Sequence, residues 1–331
     1  MLGRYYIDIG NKHKKFHIEI EHRINIIKGN SASGKTTLIK FIEQFIRSGK
    51  SSGIKCDTNA DNLVVLNLGD DYESKINKYK NTNTVLFVDE QVKYIKSTDF
   101  IRILDKSGLY IIIISRDTLK CIDYSIKALY SIKTEVRTSY SYSYLCNLYT
   151  SSNFSTQPDV MVVEDSNSGF ETMSDIMKCD VLAASGKDNV INTLEKIVSK
   201  YKVICLFVDG DAFGGNIESV LSWYETNKNT HKLSIFYPDC FEWLLLCVSD
   251  AYKKYKEELL QTYDFADTLF FKSWERYYVD LLNQYLKEKR IHIAYDKGTI
   301  GEVWRIFESK EDMLKKISAY FTEISGEYKN Y

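Results

Sequence analysis

The sequence predicts an α/β protein in which two successive parts each contain a largely parallel sheet. Short runs rich in Val, Leu and Ile, typical of buried parallel strands, alternate with segments of helical spacing along most of the chain. A stretch of Ser, Thr, Tyr and Asn interrupts this alternation, which resumes after Pro158. From Phe241 onward the spacing is mainly helical. Strands separated by helices indicate helical layers on a sheet, and the interruption indicates two such domains.

The expected domain boundaries follow from these changes in pattern. We expect a first domain at 1–135, a connecting segment at 136–157, a second domain at 158–250 and a mainly helical extension at 251–331. The tyrosines of the connecting segment could equally form an edge strand. One further strand is expected near Ile291–Tyr295. A chain of 331 residues is long enough for two domains.

Composition limits the classes of function. The 44 Lys and Arg residues nearly balance the 45 Asp and Glu residues, which disfavours nucleic-acid binding through overall positive charge but leaves room for a local basic groove. The seven cysteines include no C-x-x-C pair, so we expect free thiols in a reducing cytoplasm. The most apolar runs, Tyr110–Ile114 and Trp243–Val248, are far shorter than the roughly 20 residues that cross a bilayer. We therefore expect a cytoplasmic protein without a membrane partner.

The first domain is expected to begin with a β-hairpin. Tyr5–Ile9 and Phe16–Ile20 alternate polar and apolar residues on either side of a polar turn. A third strand, Arg23–Lys28, leads into a Gly- and Ser-rich loop and then into the helical segment Leu38–Ser48. Later elements of this domain are predicted as strands at Asn62–Asn67, Thr84–Val88 and Leu109–Ile114, and as a helix at Phe100–Leu104.

The loop after the third strand matches the pattern G-x-x-x-x-G-K-[ST]. Its residues are Gly29, Asn30, Ser31, Ala32, Ser33, Gly34, Lys35, Thr36 and Thr37. The glycines let successive backbone N–H groups face one anion, and the following helix adds the positive end of its dipole. Lys35 would bind the β- and γ-phosphates of ATP, and the Thr36 hydroxyl would bind Mg²⁺. The alternative is a Gly- and Ser-rich turn with a solvated lysine.

Two carboxylates follow the predicted strand Thr84–Val88. An acid at this place in nucleotide-binding proteins holds the magnesium shell, so Asp89 is assigned to Mg²⁺. The next acid, Glu90, is assigned a catalytic role in polarising the attacking water. The alternative for the pair is a solvated strand end.

Through these motifs the first domain resembles the P-loop ATPases of the ABC/SMC type. The hairpin, the glycine loop, the Asp89–Glu90 pair and the strand Leu109–Ile114 fit that family. The chain departs from it because no LSGGQ-like segment precedes Asp89 and no switch histidine follows the next strand, where Ser115-Arg116-Asp117 stands. The resemblance implies a P-loop NTPase sheet with ATP and Mg²⁺ as cofactors, and it supports ATP binding more than fast hydrolysis.

In the second domain, charged or glycine-containing segments follow three predicted strands. They are Glu164-Asp165 after Val160–Val163, Ser185-Gly186-Lys187 after Val181–Ala184, and Asp209-Gly210-Asp211 after Val203–Val208. The carboxyl ends of parallel strands lie at one edge of a sheet, so we expect Glu164, Asp209 and Asp211 to converge there. Their oxygen atoms suit Mg²⁺ or Mn²⁺, which can activate water or clamp a phosphodiester. The alternative is a flavodoxin-like domain with acidic loop tips.

The order of these motifs resembles the TOPRIM domain of topoisomerases, primases and several nucleases. Glu164, Gly186, and Asp209 with Asp211 match the family pattern of a glutamate, a glycine loop and D-x-D. An ATPase followed by TOPRIM resembles the OLD-family nucleases and the ATPase and TOPRIM pairs of PARIS phage-defence systems. The resemblance implies catalytic and metal-binding roles for Glu164, Asp209 and Asp211, and DNA or RNA as the substrate. A homo-oligomer or a partner subunit is also expected.

Other residues carry weaker hypotheses. Glu242 could complete a second metal site, although a glutamate there is more often a charge at a helix N-terminus. Lys187 could contact a scissile phosphate or be solvated. Lys297 could do likewise, although a surface turn is the simpler interpretation. The aromatic residues of Phe265–Tyr278 are expected in a helical core rather than in a base-stacking platform.

These motifs predict an ATP-binding, metal-dependent nuclease that acts in defence against phage, and the setting rests on the resemblance. The alternative is a nucleotide-controlled sensor or scaffold whose carboxylates bind Mg²⁺ without cleaving. A third interpretation, a nucleotidyl or phosphoryl transferase such as a primase, is disfavoured because the chain has no zinc module and its formal net charge is -1.

Overall fold

The chain folds into two compact units. The computed structural model describes residues 3–29, 33–153, 157–266, 274–291, 294–296, 309–320 and 322–325. Unit 1 is built mainly from Met1–Leu148 with Tyr263–Lys272, and unit 2 from Tyr149–Thr262 with Ser273–Asn330. Both units combine helices with a sheet, so the predicted α/β class is confirmed. In the described residues, no helix is both long enough and apolar enough to span a membrane.

Strands and helices alternate through most of unit 1. The strands are β1 (Tyr5–Gly10), β2 (Lys14–Ile20), β3 (Ile24–Lys28), β4 (Lys55–Thr58), β5 (Asn62–Leu66), β6 (Thr84–Val88), β7 (Tyr110–Ile114), β8 (Leu129–Val136) and β9 (Ser141–Asn147). The helices are α1 (Lys35–Ser48), α2 (Tyr72–Tyr79) and α3 (Thr98–Asp105). Short 3-10 segments lie at Gly49–Ser52, Lys93–Lys96 and Ile126–Ala128.

These strands form one mixed sheet. In the part of the chain that the structure describes, their order is β4-β1-β2-β9-β8-β3-β7-β6-β5. The segment from β8 to β5 is parallel throughout, as predicted for the strands around the glycine loop. The predicted N-terminal hairpin is confirmed by the antiparallel pairing of β1 with β2. The hairpin also belongs to the same sheet, because β2 pairs in parallel with β9, and β9 pairs in antiparallel fashion with β8. The sheet that was expected to be largely parallel, with a hairpin before it, is therefore a single mixed sheet that includes the hairpin.

The segment 136–157, expected as a connection between domains, contributes strands instead. β9 lies between β2 and β8, so its tyrosines are not on an edge strand. On one face of β9, Ser143 is fully buried and Leu145 packs against the core, whereas the tyrosines remain partly exposed. β9 is difficult to predict as a strand because its sequence has low hydrophobicity, and a small serine is enough to fill its buried face.

The core of unit 1 lies between the sheet and α1. The helix buries Leu38, Ile39, Phe41 and Ile42 against side chains of the sheet. Every residue of β3, β6 and β7 is buried, as expected for parallel strands covered on both faces. This packing holds the carboxyl ends of β3, β6 and β7, and the loops that follow them, in a fixed arrangement.

Unit 2 begins with β10 (Thr150–Asn153). Its other strands are β11 (Val160–Val163), β12 (Asp180–Ala183), β13 (Val203–Phe207), β14 (Lys232–Phe236) and β15 (Thr322–Ser325). The helices, in chain order, are α4 (Ser168–Ile176), α5 (Val190–Ile197), α6 (Ile217–Asn227), α7 (Phe241–Val248), α8 (Ala251–Lys254), α9 (Lys256–Leu260), α10 (Thr262–Phe265), α11 (Trp274–Glu288) and α12 (Lys310–Ser318). Of these, α10 has only its first residue in unit 2, and its other three residues belong to unit 1.

The main sheet of unit 2 is parallel. Its order in the described residues is β12-β11-β13-β14, and β10 pairs separately with β15. Val163 pairs with both Ala183 and Phe207, and Phe207 pairs with Phe236, so the strands end level. The strand β15 was not predicted. Ile291 and residues 294–296 have no regular structure, and residues 292–293 of the strand expected there lie outside the described residues.

Candidate functional site

The loop between β3 and α1 allows close approach of an anion to the backbone. Gly29 and Gly34 have φ angles of 143° and 94°, which favour glycine. The described part of the loop supplies no side-chain cap to α1, so N–H groups of its first turn remain available to a phosphate. Of the other predicted loop residues, Thr36 is exposed and Thr37 is partly buried, and Asn30, Ser31 and Ala32 lie outside the described residues.

Lys35 is held inside this loop. Its side chain is buried, and the ammonium donates hydrogen bonds to the Gly29 carbonyl and, at 3.2 Å, to Ser33 Oγ. Burial lowers the pKa of Lys35, the Glu90 carboxylate opposes that effect and the Arg116 guanidinium adds to it. A phosphate would give this ammonium the counter-charge that the loop carbonyl supplies only in part.

The strand register brings the acidic pair to the same edge of the sheet as the loop. Ile27 of β3 pairs with Ile114 of β7, and Val88 of β6 pairs with Ile113, so the three strands end together. Asp89 and Glu90, which follow β6, therefore lie across β7 from the loop. Burial raises the pKa of Asp89, its hydrogen bond with the Glu90 backbone opposes this, and the charges of Glu90 and Glu43 add to it.

Two cations near this edge were not identified from the sequence. Lys14 of β2 reaches the glycine loop: its Nζ lies 3.3 Å from the place that a Cβ on Gly34 would occupy, and 5.0 Å from the Phe16 ring centroid. Arg116 follows β7 and donates to Glu90 through Nε at 3.1 Å and Nη2 at 3.0 Å. Neither contact has a local sequence signal, because each depends on a neighbouring strand.

A cavity of about 450 Å³ lies beside the acidic pair. Asp89, Glu90 and Arg116 line it together with Lys93 and Lys96 of the segment after β6. Carboxylates and cations therefore share one pocket, which is the mixture of charges that a metal-bound phosphate requires.

Unit 2 has a second group of carboxylates at the carboxyl edge of its parallel sheet. Glu164, Asp209 and Glu242 line a cavity of about 100 Å³. The Asp209 backbone N–H donates to Glu164 Oε2 at 3.0 Å, which ties the ends of β11 and β13 together. Asp211 lies beside the cavity, and its N–H donates to Asp209 Oδ1 at 3.2 Å. Of the three predicted residues, Glu164 and Asp209 therefore share this cavity, and Asp211 is linked to Asp209 next to it.

Gly210 shapes the turn between the two aspartates. A Cβ at this position would lie 2.5 Å from the Pro238 carbonyl oxygen and 2.7 Å from that of Tyr237. The Gly210 N–H donates to Pro238 O at 2.8 Å, and the Asp211 N–H donates to Asp239 O at 3.1 Å. The D-x-D turn is therefore fastened to the chain after β14, and a side chain at its middle position does not fit.

Negative charge is concentrated at Asp209. Burial raises the pKa of its carboxyl well above the usual range, and the charges of Asp211, Glu164, Glu275 and Glu242 raise it further. Such repulsion favours either a proton or a bound cation. Among the described residues, no three His, Cys, Asp or Glu side chains are arranged closely enough to hold a metal ion as they stand.

The sequence pattern supports Glu242 as a site residue less strongly than it supports Glu164, Asp209 and Asp211. It lies in the first turn of α7, is only 1% exposed and accepts a hydrogen bond from the Tyr295 hydroxyl. Asn283 fixes Tyr295 by accepting from its N–H at 2.7 Å and donating to its carbonyl at 3.2 Å. Burial and the charge of Glu242 raise the pKa of Tyr295, so the hydroxyl stays protonated and remains a donor.

The two lysines considered with this site differ in what can be said of them. Lys187 is partly buried and begins a 3-10 segment directly after Gly186, whose φ is 115°. Asn216 donates to the Lys187 carbonyl at 3.2 Å, which holds this loop against the start of α6. Lys297 lies outside the described residues.

No protein-family model matches the chain, and no curated protein is significantly similar to it.

Proposed function

We propose that the chain is an ATP-binding, divalent-metal-dependent nuclease with one site in each unit. The observation that carries this proposal is the meeting of Glu164, Asp209 and Glu242 in one cavity at the carboxyl edge of a parallel sheet, beside Asp211. Ligands of α/β sheets bind at this edge. Carboxylate oxygens gathered in this way are the ligands that a hard divalent ion prefers.

ATP fits the residues around the glycine loop of unit 1. The N–H groups at the start of α1 would hold the phosphates together with Lys35 and Lys14. All of these groups place positive charge at the glycine loop. Thr36 and Asp89 would hold the accompanying Mg²⁺. Glu90 would orient the water for hydrolysis, once its carboxylate is released from Arg116.

A divalent ion fits the donor set of unit 2, because all candidate ligands are carboxylate oxygens. Mg²⁺ or Mn²⁺ would supply activation of water and stabilisation of the leaving oxygen of a phosphodiester. Glu164, Asp209 and Asp211 would bind the ion, with Glu242 as a further ligand or as a base. Tyr295 would hold the Glu242 carboxylate in place.

The biological setting is proposed from the resemblance to OLD-family nucleases and PARIS-type ATPase and TOPRIM proteins. It implies a nucleic-acid substrate, a homo-oligomer or a partner subunit, and a role in defence against phage. The mixed sheet of unit 1 and the parallel sheet of unit 2 are compatible with that combination.

Incubation of the full chain with plasmid, single-stranded DNA and tRNA, with Mg²⁺ or Mn²⁺ and with or without ATP, tests the proposal. We expect cleavage that EDTA abolishes and that Asp209→Ala or Asp211→Ala removes without loss of ATP binding. Asp250→Ala, at an exposed aspartate before α8, is the matched control. A folded wild type that cuts none of these substrates, and whose expression neither harms cells nor protects them from phage, would refute the nuclease.

A second candidate is a nucleotide-controlled sensor or scaffold whose unit 2 binds Mg²⁺ without cleaving. The hydrogen bonds from Arg116 to Glu90 favour it, because an occupied Glu90 suits a protein that holds ATP rather than turning it over. Tight ATP binding with slow turnover, together with an absence of cleavage in every cell and substrate test, would support this candidate over the first.

A further inference from the structure

One face of the unit 1 sheet carries a row of tyrosines that ATP binding does not use. Along β9, Tyr142 and Tyr144 alternate with the buried Ser143, so the two rings share the opposite face of the sheet. Their ring centroids are 6.0 Å apart and their planes are tilted by 34°. Tyr140, just before the strand, is also partly exposed. This arrangement offers adjacent aromatic surfaces on a rigid interior strand.

Cations lie against these rings. The Arg137 guanidinium carbon is 4.6 Å from the Tyr142 centroid and 5.7 Å from that of Tyr140. The Lys15 ammonium is 4.5 Å from the Tyr140 centroid. Aromatic faces next to positive side chains are the combination that binds single-stranded nucleic acid, since bases stack on the rings while phosphates meet the cations.

Tyr140 and Tyr142 also line a groove of about 1480 Å³. Its charged lining is mainly basic, with Lys12, Lys15, Lys50 and Lys55 against Asp8 and Asp57. The lysines are exposed to solvent. Sites for small molecules usually enclose about 300–1,000 Å³, so the groove is larger than a single nucleotide needs and suits an extended chain.

We propose that this groove and the tyrosine row bind a single-stranded nucleic acid. Bases would stack on Tyr140 and Tyr142, and the phosphodiester backbone would follow the lysines of the hairpin turn and of the segment after α1. The chemistry is common to DNA and RNA. An acidic peptide would meet the same lysines but would gain nothing from stacking, and a double helix would keep its base faces covered. The site goes beyond the proposed cleavage, because it lies in unit 1 and needs no divalent ion.

Fluorescence anisotropy of labelled oligo(dT) and oligo(U) with the full chain, in EDTA and without ATP, tests the proposal. We expect Tyr142→Leu to weaken binding by about tenfold, because stacking is worth about 1–3 kcal/mol per base, whereas Tyr142→Phe keeps the ring and binds as wild type does. Tyr224→Leu on α6 of unit 2 is the control and should bind normally. The double variant Lys12→Ser/Lys15→Ser should reduce the salt dependence of log K by about 1.4, or roughly 0.7 for each phosphate that a lysine no longer neutralises. The relative affinities of the two oligonucleotides indicate whether DNA or RNA is preferred.

Equal affinity of wild type and Tyr142→Leu would overturn the proposal, as would equally effective competition by polyglutamate or tighter binding of duplex DNA. Circular dichroism checks that Tyr142→Leu is folded. If it is not, the variant Lys12→Ser/Lys15→Ser, changed at two exposed positions, still tests the proposal, because an unchanged salt dependence would overturn it. The result is separable from the nuclease proposal. Oligonucleotide binding without any cleavage would count against the nuclease alone, and cleavage with unchanged Tyr142→Leu binding would count against the groove alone.

Discussion

Arg116 and Glu90 face each other at the carboxyl edge of the unit 1 sheet, joined through Nε at 3.1 Å and Nη2 at 3.0 Å. The pairing uses both carboxylate oxygens of the residue proposed to orient the hydrolytic water. A carboxylate engaged in this way has little capacity left to accept a proton from water, so the side-on ion pair should restrain turnover.

Arg116→Ala should therefore raise the rate of ATP hydrolysis several-fold while leaving ATP affinity within about twofold. Phosphate release under saturating ATP measures the rate, and calorimetry measures the affinity. Arg102→Ala, which removes an exposed arginine paired with Asp99 on α3, is the control. A slower Arg116→Ala enzyme would mean that the arginine assists catalysis instead. In the double variant Arg116→Ala/Glu90→Gln, the increase in the rate of ATP hydrolysis should be lost.

Lys35→Ala should weaken ATP binding by about tenfold or more, because a hydrogen bond to a charged group is worth about 1.5–3 kcal/mol. Lys14→Ala should cause a smaller loss, since Lys14 reaches the loop from β2 without being enclosed by it. Titration calorimetry with Mg-ATP gives both affinities. Lys40→Ala, at an exposed position on α1, should bind ATP like the wild type. Unchanged affinity in Lys35→Ala would remove the glycine loop as the phosphate site.

Tyr295→Phe should raise the Mg²⁺ concentration required for half-maximal cleavage by about 10–100-fold, the usual cost of losing a residue that orients a metal ligand. The substitution deletes the hydroxyl that donates to the buried Glu242 and leaves the ring in place. Cleavage is measured against metal concentration for wild type, Tyr295→Phe and Tyr320→Phe. Tyr320→Phe is the control, because the Tyr320 hydroxyl contacts the Cys247 carbonyl and not Glu242. If Tyr295→Phe lowers the rate at every metal concentration without shifting the midpoint, Tyr295 does not act through metal binding.

Asp159 predicts a pH dependence at the other end of the unit 2 sheet. Its carboxylate accepts from the N–H groups of Val203 at 2.8 Å and Lys202 at 3.0 Å, and these hydrogen bonds lower its pKa. A carboxyl with a lowered folded-state pKa adds stability above its unfolded pKa, about 3.9, and loses it as the pH falls through the folded value. Asp159→Asn should thus melt at a lower temperature than wild type at pH 7.

The difference in melting temperature should shrink towards zero as the pH falls below about 4, where the wild-type carboxyl takes up its proton. Thermal melts followed by circular dichroism between neutral and acidic pH give the curve. Glu195→Gln, at an exposed position on α5, should show no such trend. A difference that stays constant with pH would indicate that the side-chain charge is irrelevant.

The local sequence pattern was sufficient to predict some strands and site residues and insufficient to predict others. β3, β6 and β7 could be predicted because strands covered on both faces are apolar throughout. β9 could not, because one buried serine and a partly buried leucine satisfy its inner face. The carboxylates after β11 and β13 could be predicted because parallel strands share an edge. The contacts of Arg116 with Glu90 and of Tyr295 with Glu242 could not, since each joins residues from separate elements.

The position of β9 also sets an order of events during synthesis of the chain. The hairpin of β1 and β2 can close early, but its link to the rest of the sheet is made when Lys14 pairs with Ser141. Until the ribosome has released β9, the edge of β2 opposite β1 has no strand to pair with, and long-range parallel pairing is intrinsically slow. A chain that stops at residue 135 would therefore leave this edge of β2 unpaired and open to other molecules. We expect that chain to aggregate, whereas a chain that ends at residue 148 should remain dispersed.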